Sequence, residues 1–271
     1  MILDLHAAPG SQNHDWHSDS LGPAELWTNG KNRQRVYALW EFVANHFRNE
    51  PVVAGYDLLN ESVMDDVRLL NRFYQDAIAA IRKVDSNHIL FIEGNQWAQD
   101  TDILADFDDP NWVMSVHFYI PLEFTFNLIP HLKYPLKDFG KKTIRNFLDK
   151  YRRESRRRKA PVHVGEFGVH ARQGKYHEDR WLQDVVECFN DYGFHWNYWT
   201  YKAIKNTRFP DGIYSYLPNP PWVRREGPKF GWENYADCWP KHKKEIIASW
   251  DSRHFTENKE VLKVLRQAAK T

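Results

Sequence analysis

Cysteine is scarce in this chain, and the sequence has no pattern typical of a cysteine metal site, a membrane-spanning helix or a signal peptide. The 271 residues include two cysteines, Cys188 and Cys238, whose spacing matches no metal site and no redox pair. A disulfide between them is the less favoured interpretation. No stretch is long and apolar enough to predict a membrane-spanning helix. No signal-peptide pattern precedes the first predicted strand, so the sequence does not choose between a cytoplasmic and a secreted location.

Charge of either sign is not in excess. The net charge is +1 and the pI is near 7.8, which argues against a partner, such as nucleic acid, that is bound through bulk positive charge. Aromatic residues, by contrast, are abundant, with 12 Trp, 13 Tyr and 16 Phe. Many of the tryptophans lie in polar, proline-rich stretches, where stacking against a sugar or another ligand is favoured over core packing.

Apolar runs alternate with helical patterns along the chain. The runs that predict strands are 2–6, 52–60, 88–94, 113–119, 161–168 and 194–201, and helical spacing occurs at 33–47, 65–84, 143–158, 177–192 and 257–269. Nearly continuous apolar strands separated by helices are typical of a parallel sheet covered by helices. We find no linker composition and no internal repeat. We therefore predict one α/β domain, residues 1–271, with a TIM-barrel-like parallel βα barrel truncated to about six βα units, where a closed barrel has about eight.

Two glutamates stand out because each closes a buried-strand pattern. Glu61 ends the run that begins at Val52, and Glu166 lies near the end of the run 161–168. In a parallel βα barrel, the carboxyl ends of the strands form the active-site face. Enzymes that cleave glycosidic bonds typically use two carboxyl groups on that face. Glu93 is a third strand-end carboxylate and a weaker candidate for catalysis.

Five ordered motifs resemble glycoside hydrolase family five, the cellulase and exo-β-glucanase family of retaining barrel enzymes. They are Leu3–Asn13, Gly55–Glu61, His117–Tyr119, Gly165–Gly168 and Trp199, similar to the family's third, fourth, sixth, seventh and eighth strands in that order. Each motif is short, and their order and spacing carry the resemblance. The family's first two strands, and the arginine that the second strand supplies, have no counterpart. The chain therefore opens where the third strand is expected.

The resemblance implies a role for each matched residue. Glu61 would be the general acid/base and Glu166 the nucleophile of a double displacement. The residues implied in substrate binding are His6, Asn60, His117, Tyr119 and Trp199. The Asn60 amide suits a hydrogen bond to the sugar 2-hydroxyl, the Tyr119 hydroxyl could hold the nucleophile in place, and the Trp199 indole could form a floor under a pyranose ring. Ordinary packing or capping is the alternative for each, and no cofactor or metal is implied.

The partner implied by the resemblance is a β-glucan oligosaccharide or polysaccharide, with no nucleic-acid or membrane partner. β-Mannan and glucosides of lipids stay open as substrates. Because two strand–helix units lack a counterpart, a non-catalytic carbohydrate-binding remnant is an alternative, and so is a longer natural protein. Two missing units would leave the first and last predicted strands as open edges. We therefore expect either a homo-oligomer that completes the sheet or a reduced barrel that joins those strands.

Three further segments carry residue types that could serve other purposes. The loop His14–Asp19 has metal-ligand residue types, but nothing else completes a coordination shell, and a position at the rim of a substrate site is favoured. The basic run Arg152–Lys159 is interpreted as a solvated helix end. The tryptophans at 222, 232, 239 and 250 could build outer substrate subsites or pack against the outside of the barrel.

Overall fold

The computed structural model describes residues 1–204, 208–216, 235–249 and 251–270. The chain forms two compact units, one made of residues 1–117 with 150–164 and the other of residues 118–149 with 165–271. The organisation of the chain as one domain stays a prediction. In the described part of the chain, no helix combines the length and the apolar character needed to cross a membrane.

Six strands form the main sheet, and their order in the sheet is their order in the chain. They are β1 (Ile2–Asp4), β2 (Gly55–Asp57), β3 (Ile89–Glu93), β4 (Trp112–Phe118), β5 (Val162–Phe167) and β6 (His195–Trp196). β1, β2 and β3 pair in parallel register, so that Leu3 lies opposite Tyr56, which lies opposite Leu90. The six strands are parallel with helices between them, which confirms the predicted parallel βα class.

Helices connect the strands of this sheet. They are α1 (Glu25–Thr28), α2 (Gly30–Phe47), α3 (Val67–Arg82), α4 (Asn95–Ala98), α5 (Leu122–Thr125), α6 (Lys141–Arg158) and α7 (Glu178–Tyr192). In the second unit, β7 (Lys202–Ile204), β8 (Tyr214–Tyr216) and β9 (Thr256–Glu257) form a small sheet. Helix α8 (Tyr235–Ser249) lies between β8 and β9 in the chain, and α9 (Lys259–Ala268) follows β9.

Helix α3 shows how the sequence builds one layer of the first unit. The Asp66 carboxylate accepts hydrogen bonds from the backbone N–H groups of Arg68 and Leu69, which satisfies donors that the first turn leaves free. The buried residues of α3 recur at helical spacing and are Leu70, Phe73, Tyr74, Ala77, Ala80 and Ile81. Burial of this face is the main source of stability for the helix.

Two predicted strands are much longer than the ladders that form. The run 52–60 pairs as a strand over Gly55–Asp57, and the run 194–201 pairs over His195–Trp196. The chain stays anchored beyond β2, because the Leu58 N–H donates to the Phe91 carbonyl at 3.1 Å. The residues after β2 are buried although the ladder has ended, whereas the run 194–201 is buried at Phe194 and half-buried or exposed beyond it.

The basic run at the end of α6 was predicted to be solvated, and this prediction is wrong for Arg158. The Arg158 side chain is 1% exposed and donates to the carbonyl of Ala105 at 2.8 Å. It also pairs with Glu154 on the same helix, at 3.3 Å, and with Asp106 at 2.9 Å. A guanidinium with several acceptors can be buried because its charge and its donors are both matched. Arg158 therefore fastens α6 to the segment after β3, which the sequence pattern did not indicate.

Asp57 is a buried carboxyl group of the first unit with too few partners. Its Oδ2 atom accepts the Ser115 hydroxyl at 3.1 Å, and its Oδ1 atom has no hydrogen-bond partner among the described residues. Burial, followed by the nearby charges of Glu93 and Asp4, raises the pKa of Asp57 well above its ordinary value. The folded state therefore holds this proton at a pH where the unfolded chain has lost it, and stability falls as pH rises above the unfolded pKa.

Asp57→Asn is accordingly expected to stabilise the protein at pH 7, because the amide keeps the shape and carries no charge. We expect the melting temperature to rise by roughly 2–4 °C, which corresponds to about 1 kcal/mol. The gain should shrink as pH falls toward 4, where the unfolded Asp57 is itself protonated. Thermal melts at pH 4 to 8 measure this, with the exposed Asp65→Asn as control. An equal shift at every pH would contradict the prediction.

Candidate active site

The first unit holds Glu61 in a backbone conformation that few side chains adopt. The φ angle of Glu61 is +47°, in the left-handed region. Two hydrogen bonds secure it: its N–H donates to Glu93 Oε2 at 2.6 Å, and its carbonyl accepts from the side-chain amide of Asn13 at 2.8 Å. A strained residue that its surroundings hold in this way is typical of functional sites.

Each oxygen of the buried Glu61 carboxylate meets an imidazole. His117 Nδ1 lies 2.7 Å from Oε1, and His17 Nε2 lies 2.9 Å from Oε2. Burial would raise the pKa of Glu61, but the hydrogen bonds and charges of His117 and His17 outweigh it and hold this pKa below its ordinary value. A pKa lowered in this way favours the ionised form of Glu61. A general acid at this position must take up a proton from one of its partners.

Glu93 supports both His117 and Glu61. It lies at the end of β3 and is 1% exposed. Its Oε1 atom lies 3.2 Å from His117 Nε2, and its Oε2 atom accepts the Glu61 N–H. Burial is the main cause that raises the pKa of Glu93, and the neighbouring His117 opposes that rise. Glu93 thus orients the imidazole of His117 and the backbone of Glu61, which is a supporting role.

Gln12 ties two predicted binding residues of the first unit together. Its side-chain nitrogen donates to the carbonyl of His6 and to the carbonyl of Asn60, both at 2.8 Å. His6 Nδ1 in turn lies 3.0 Å from Asp4 Oδ2. The side-chain nitrogen of Asn60 is buried and has no hydrogen-bond partner within the described ranges. A buried donor without an acceptor is costly, so this amide is well placed to donate to a bound molecule.

The second unit holds Glu166, within β5, against a tyrosine. The Glu166 side chain is buried, and its Oε2 atom accepts the Tyr119 hydroxyl at 2.7 Å. Tyr119 directly follows β4, and its carbonyl accepts the Thr125 hydroxyl at 2.5 Å. Its ring packs edge-on against Phe126. These contacts fix the tyrosine, so its hydroxyl is a positioned donor for the Glu166 carboxylate.

Trp199 lies beside the end of β5 in the second unit. The backbone N–H of Trp199 donates to the Phe167 carbonyl at 2.8 Å. A Cβ atom on Gly168 would lie 2.3 Å from the Trp199 carbonyl oxygen, so the close approach of the two backbones requires glycine there. Trp199 as a whole residue is 38% exposed, and its peptide bond to Thr200 is cis. A partly exposed indole next to a buried carboxylate strand can stack against a ligand.

Within each unit the structure brings predicted residues together. Glu61 contacts His117 in the first unit, and Glu166 contacts Tyr119 in the second. Sequence reasoning missed the supporting residues, which are Gln12, Asn13, His17 and Glu93 in its supporting role. Gln12 and Asn13 lie in the Leu3–Asn13 motif and could have been found there. The contact between His17 and Glu61 leaves no pattern in the sequence, because it joins a loop after β1 to a residue after β2.

The other segments singled out from the sequence have partners of their own. In the loop His14–Asp19, Asp15 accepts the indole N–H of Trp97 at 2.8 Å. The Lys243 amino group lies 5.5 Å from the ring of Trp239. Cys188 is a buried free thiol. The tryptophans at 222, 232 and 250, and the side chain of Cys238, lie outside the described residues.

Comparison with known proteins places this chain in a family. The family described as Cellulase (glycosyl hydrolase family 5) matches residues 1–205. The matched range includes Glu61, Glu166 and every predicted binding residue. A match over so much of the chain is specific in a way that the short motifs are not.

Curated relatives are longer than this chain. The β-xylosidase of Phanerodontia chrysosporium is 35% identical over 216 residues, which cover 75% of this chain and 45% of that protein. Endoglucanase C of Acetivibrio thermocellus is 26% identical over 239 residues, which cover 75% of this chain and 68% of that protein. The chain thus spans about half the length of the first relative and about two thirds of the second.

Solved structures share the fold at low identity. The crystal structure of a glycoside hydrolase matches with a TM-score of 0.71 at 20% identity, covering 99% of this chain and 75% of that one. Cellulose synthase subunit Z of Clostridioides difficile matches with a TM-score of 0.68 at 18% identity, covering 97% and 73%. At such identities the likeness shows the fold alone, and it confirms the predicted TIM-barrel-like class. Taken with the family match, it shows that the chain belongs to glycosyl hydrolase family 5.

Proposed function

We propose that this chain is a retaining glycoside hydrolase that cleaves β-linked glucans by double displacement. Family membership supports glycosidase chemistry. The observation that carries the proposal is that two buried carboxylates have dedicated and different partners. Glu166 accepts the Tyr119 hydroxyl, whereas Glu61 meets two imidazoles. A hydroxyl donor suits a carboxylate that stays ionised, and imidazoles suit a carboxyl group that must exchange a proton.

Each carboxylate has one task in each step. In the first step, the Glu166 carboxylate attacks the anomeric carbon and bonds to it, while Glu61 gives a proton to the departing glycosidic oxygen. In the second step, a water molecule attacks the same carbon, Glu61 takes the water proton, and the bond to Glu166 breaks. Two inversions leave the product with the configuration of the substrate. The mechanism requires the two carboxyl groups to face one sugar about 5–5.5 Å apart.

The remaining predicted residues supply binding. The free amide donor of Asn60 suits the sugar 2-hydroxyl, a contact that strengthens as charge develops on the ring. The exposed indole of Trp199 suits the apolar face of a pyranose. His6, linked to Asn60 through Gln12, adds a polar group of the same unit. The proposal requires these residues to hold one sugar at the nucleophile, because fixed geometry accounts for a large part of catalysis.

β-Linked glucans are the favoured substrates because relatives named endoglucanase and glucan 1,3-β-glucosidase recur among the similar proteins. A β-xylosidase is also similar to the chain, and a Thermotoga maritima structure of the same fold was solved with mannotriose. Xylo-oligosaccharides and β-mannan are therefore the alternative substrates of the same site. The substrate range of this chain is part of the proposal.

A substrate panel tests the proposal directly. Reducing-end release is measured on soluble β-1,4- and β-1,3-glucans, xylan and mannan, and ¹H NMR follows the first anomer formed from an oligosaccharide. Hydrolysis of a glucan with retention is the expected result. Inversion would contradict the mechanism. Binding by calorimetry without hydrolysis of any polymer would instead identify a carbohydrate-binding remnant.

Tyr119→Phe is expected to lower kcat/KM for the best substrate by about 10- to 100-fold. The change removes the donor that lies 2.7 Å from Glu166 Oε2 and leaves the ring in place. A hydrogen bond to a charged group contributes roughly 1.5–3 kcal/mol, which corresponds to that loss in rate. Steady-state kinetics measure it, with Tyr37→Phe as control, because the Tyr37 hydroxyl bonds to Asp76 on a helix surface. Equal effects of both variants would contradict a specific role for Tyr119.

A further inference from the structure

Two partly exposed tryptophans lie around the proposed general acid of the first unit. Trp16 and Trp97 are each 39% exposed. The Trp16 ring meets the ring of His17 edge-on, and His17 Nε2 lies 2.9 Å from Glu61 Oε2. The backbone N–H of Trp97 donates at 3.4 Å to the carbonyl of Ser62, which directly follows Glu61 in the chain. Both indoles therefore belong to the surroundings of one carboxyl group.

The backbone presents Trp97 in a conformation that residues other than glycine rarely adopt. Three consecutive residues of α4, which are Gln96, Trp97 and Ala98, have φ angles of +53°, +55° and +60°. L-amino acids avoid this left-handed region because Cβ approaches the following carbonyl oxygen, and runs of such residues are rare. Ala98 is fully buried within the turn, whereas Gln96 and Trp97 are exposed. The turn thus holds a large apolar side chain at the surface, and strain of this kind is typical of ligand-binding sites.

Hydrogen bonds on both sides hold this turn in place. The side-chain oxygen of Asn95 accepts the Met64 N–H at 3.1 Å, and its side-chain nitrogen donates to the Met64 carbonyl at 2.7 Å. The backbone N–H groups of Asn95 and Asp100 each donate to the other residue's carbonyl at 2.9 Å. The indole N–H of Trp97 donates to Asp15 Oδ2 at 2.8 Å, which fixes the ring. The indole is therefore in place before any ligand binds, which lowers the entropy cost of binding.

The chemistry assigned to Glu61 indicates which part of a substrate these indoles would meet. In the proposed function, Glu61 gives its proton to the departing glycosidic oxygen, so the first sugar of the leaving group must lie beside the Glu61 carboxyl group. The flat face of an indole suits the apolar face of a pyranose ring. A sugar that stacks on Trp16 or Trp97 is therefore a sugar of the leaving group.

We propose that Trp16 and Trp97 form a binding site for the sugars of the leaving group, beside the general acid. The proposal rests on the proposed function and deepens it. After the leaving group departs, the same site holds an acceptor sugar. A hydroxyl oxygen of that sugar then bonds to the anomeric carbon in place of water, the bond to Glu166 breaks, and Glu61 takes the hydroxyl proton. Oligosaccharides are thus favoured over glycosides with small leaving groups.

Two substrates that differ only in the leaving group test the site. A glucan oligosaccharide places a sugar at the indoles, whereas a β-glycosyl fluoride with the same glycone releases fluoride, which has no ring to stack. Trp97→Ala and Trp16→Ala should each lower kcat/KM for the oligosaccharide by about 10-fold or more, as for a tryptophan at the centre of an interface, with a much smaller loss for the fluoride. Trp97→Phe keeps a stacking ring and should retain most of the activity. Phe42→Ala, at an aromatic residue of α2 that is 70% exposed, is the matched control.

Calorimetry provides a second readout that needs no turnover. In the Glu166→Gln background, a glucan oligosaccharide should bind about 10-fold more weakly with Trp97→Ala and equally well with Phe42→Ala. An equal loss of kcat/KM for the oligosaccharide and the fluoride would show that Trp97 only supports Glu61, and an unchanged dissociation constant would show that the indole does not contact sugar. Either result would overturn the site. If no substrate is hydrolysed, the proposed function fails, and calorimetry alone decides whether the indoles bind sugar.

Discussion

Glu166→Gln is expected to abolish hydrolysis of soluble β-glucan, with kcat falling by roughly 10⁴-fold or more. The glutamine oxygen can still accept the Tyr119 hydroxyl, and the side chain keeps its size in a buried position. An amide, however, cannot attack the anomeric carbon. Substrate binding should persist because the stacking and hydroxyl contacts are untouched. Initial rates and calorimetric binding of an oligosaccharide, measured on the same preparation, separate the two effects.

Covalent trapping sharpens this test. A 2-deoxy-2-fluoro glycoside with a good leaving group slows the second step more than leaving-group departure, so the sugar should accumulate on the nucleophile. Mass spectrometry of a digest should find the added sugar on the peptide that contains Glu166, and not in the Glu166→Gln variant. Glu123→Gln, at the exposed start of α5, is the matched control. Label on another carboxylate, or more than a tenth of the activity left in Glu166→Gln, would refute the assignment.

The strands and most helices could be predicted from the sequence because buried residues recur at a regular spacing. Six apolar runs predicted six parallel strands, and helical spacing predicted α2, α3, α6, α7 and α9 within a few residues. The extents of β2 and β6 could not be predicted. The residues after β2 are buried because they carry the site, and burial for that reason looks the same in the sequence as burial in a sheet. The small sheet of β7, β8 and β9 lacks runs long enough to be recognised.

The same distinction explains which site residues were found. Glu61 and Glu166 were recognisable because a charged residue at the end of an apolar run has no packing explanation. Glu93 carries the same signal, and only the contacts in the structure show that it supports His117 and Glu61. His17 lies in the loop His14–Asp19, which the sequence indicated as the rim of a substrate site without indicating a contact with Glu61. Its role depends on its distance to Glu61, and a local sequence pattern does not predict the distance between residues far apart in the chain.

Glu61→Gln should affect substrates according to the leaving group. For β-glucan oligosaccharides, whose leaving group is a sugar hydroxyl, we expect kcat/KM to fall by about 10²- to 10⁴-fold, the range that general acid catalysis contributes. A 2,4-dinitrophenyl glycoside releases a stable anion that needs no proton, so its kcat/KM should fall far less. Steady-state kinetics on both substrates measure the difference. Glu41→Gln, at a partly exposed glutamate on α2 whose carboxylate lies 3.8 Å from the Lys83 amino group, is the control.

The second step separates Glu61 from Glu166 more strictly. Once an activated glycoside has formed the covalent intermediate, hydrolysis needs a base, and azide needs none because it is already an anion. Azide should therefore accelerate turnover of the dinitrophenyl glycoside by Glu61→Ala and give a glycosyl azide of retained configuration. With Glu166→Ala, any azide product must arise by a single displacement and be inverted. Retained product from the variant at position 61 and inverted product from the variant at position 166 would assign the two roles without reference to rate. The opposite pattern would exchange the roles, and equal loss of kcat/KM for both leaving groups in Glu61→Gln would remove Glu61 from acid catalysis.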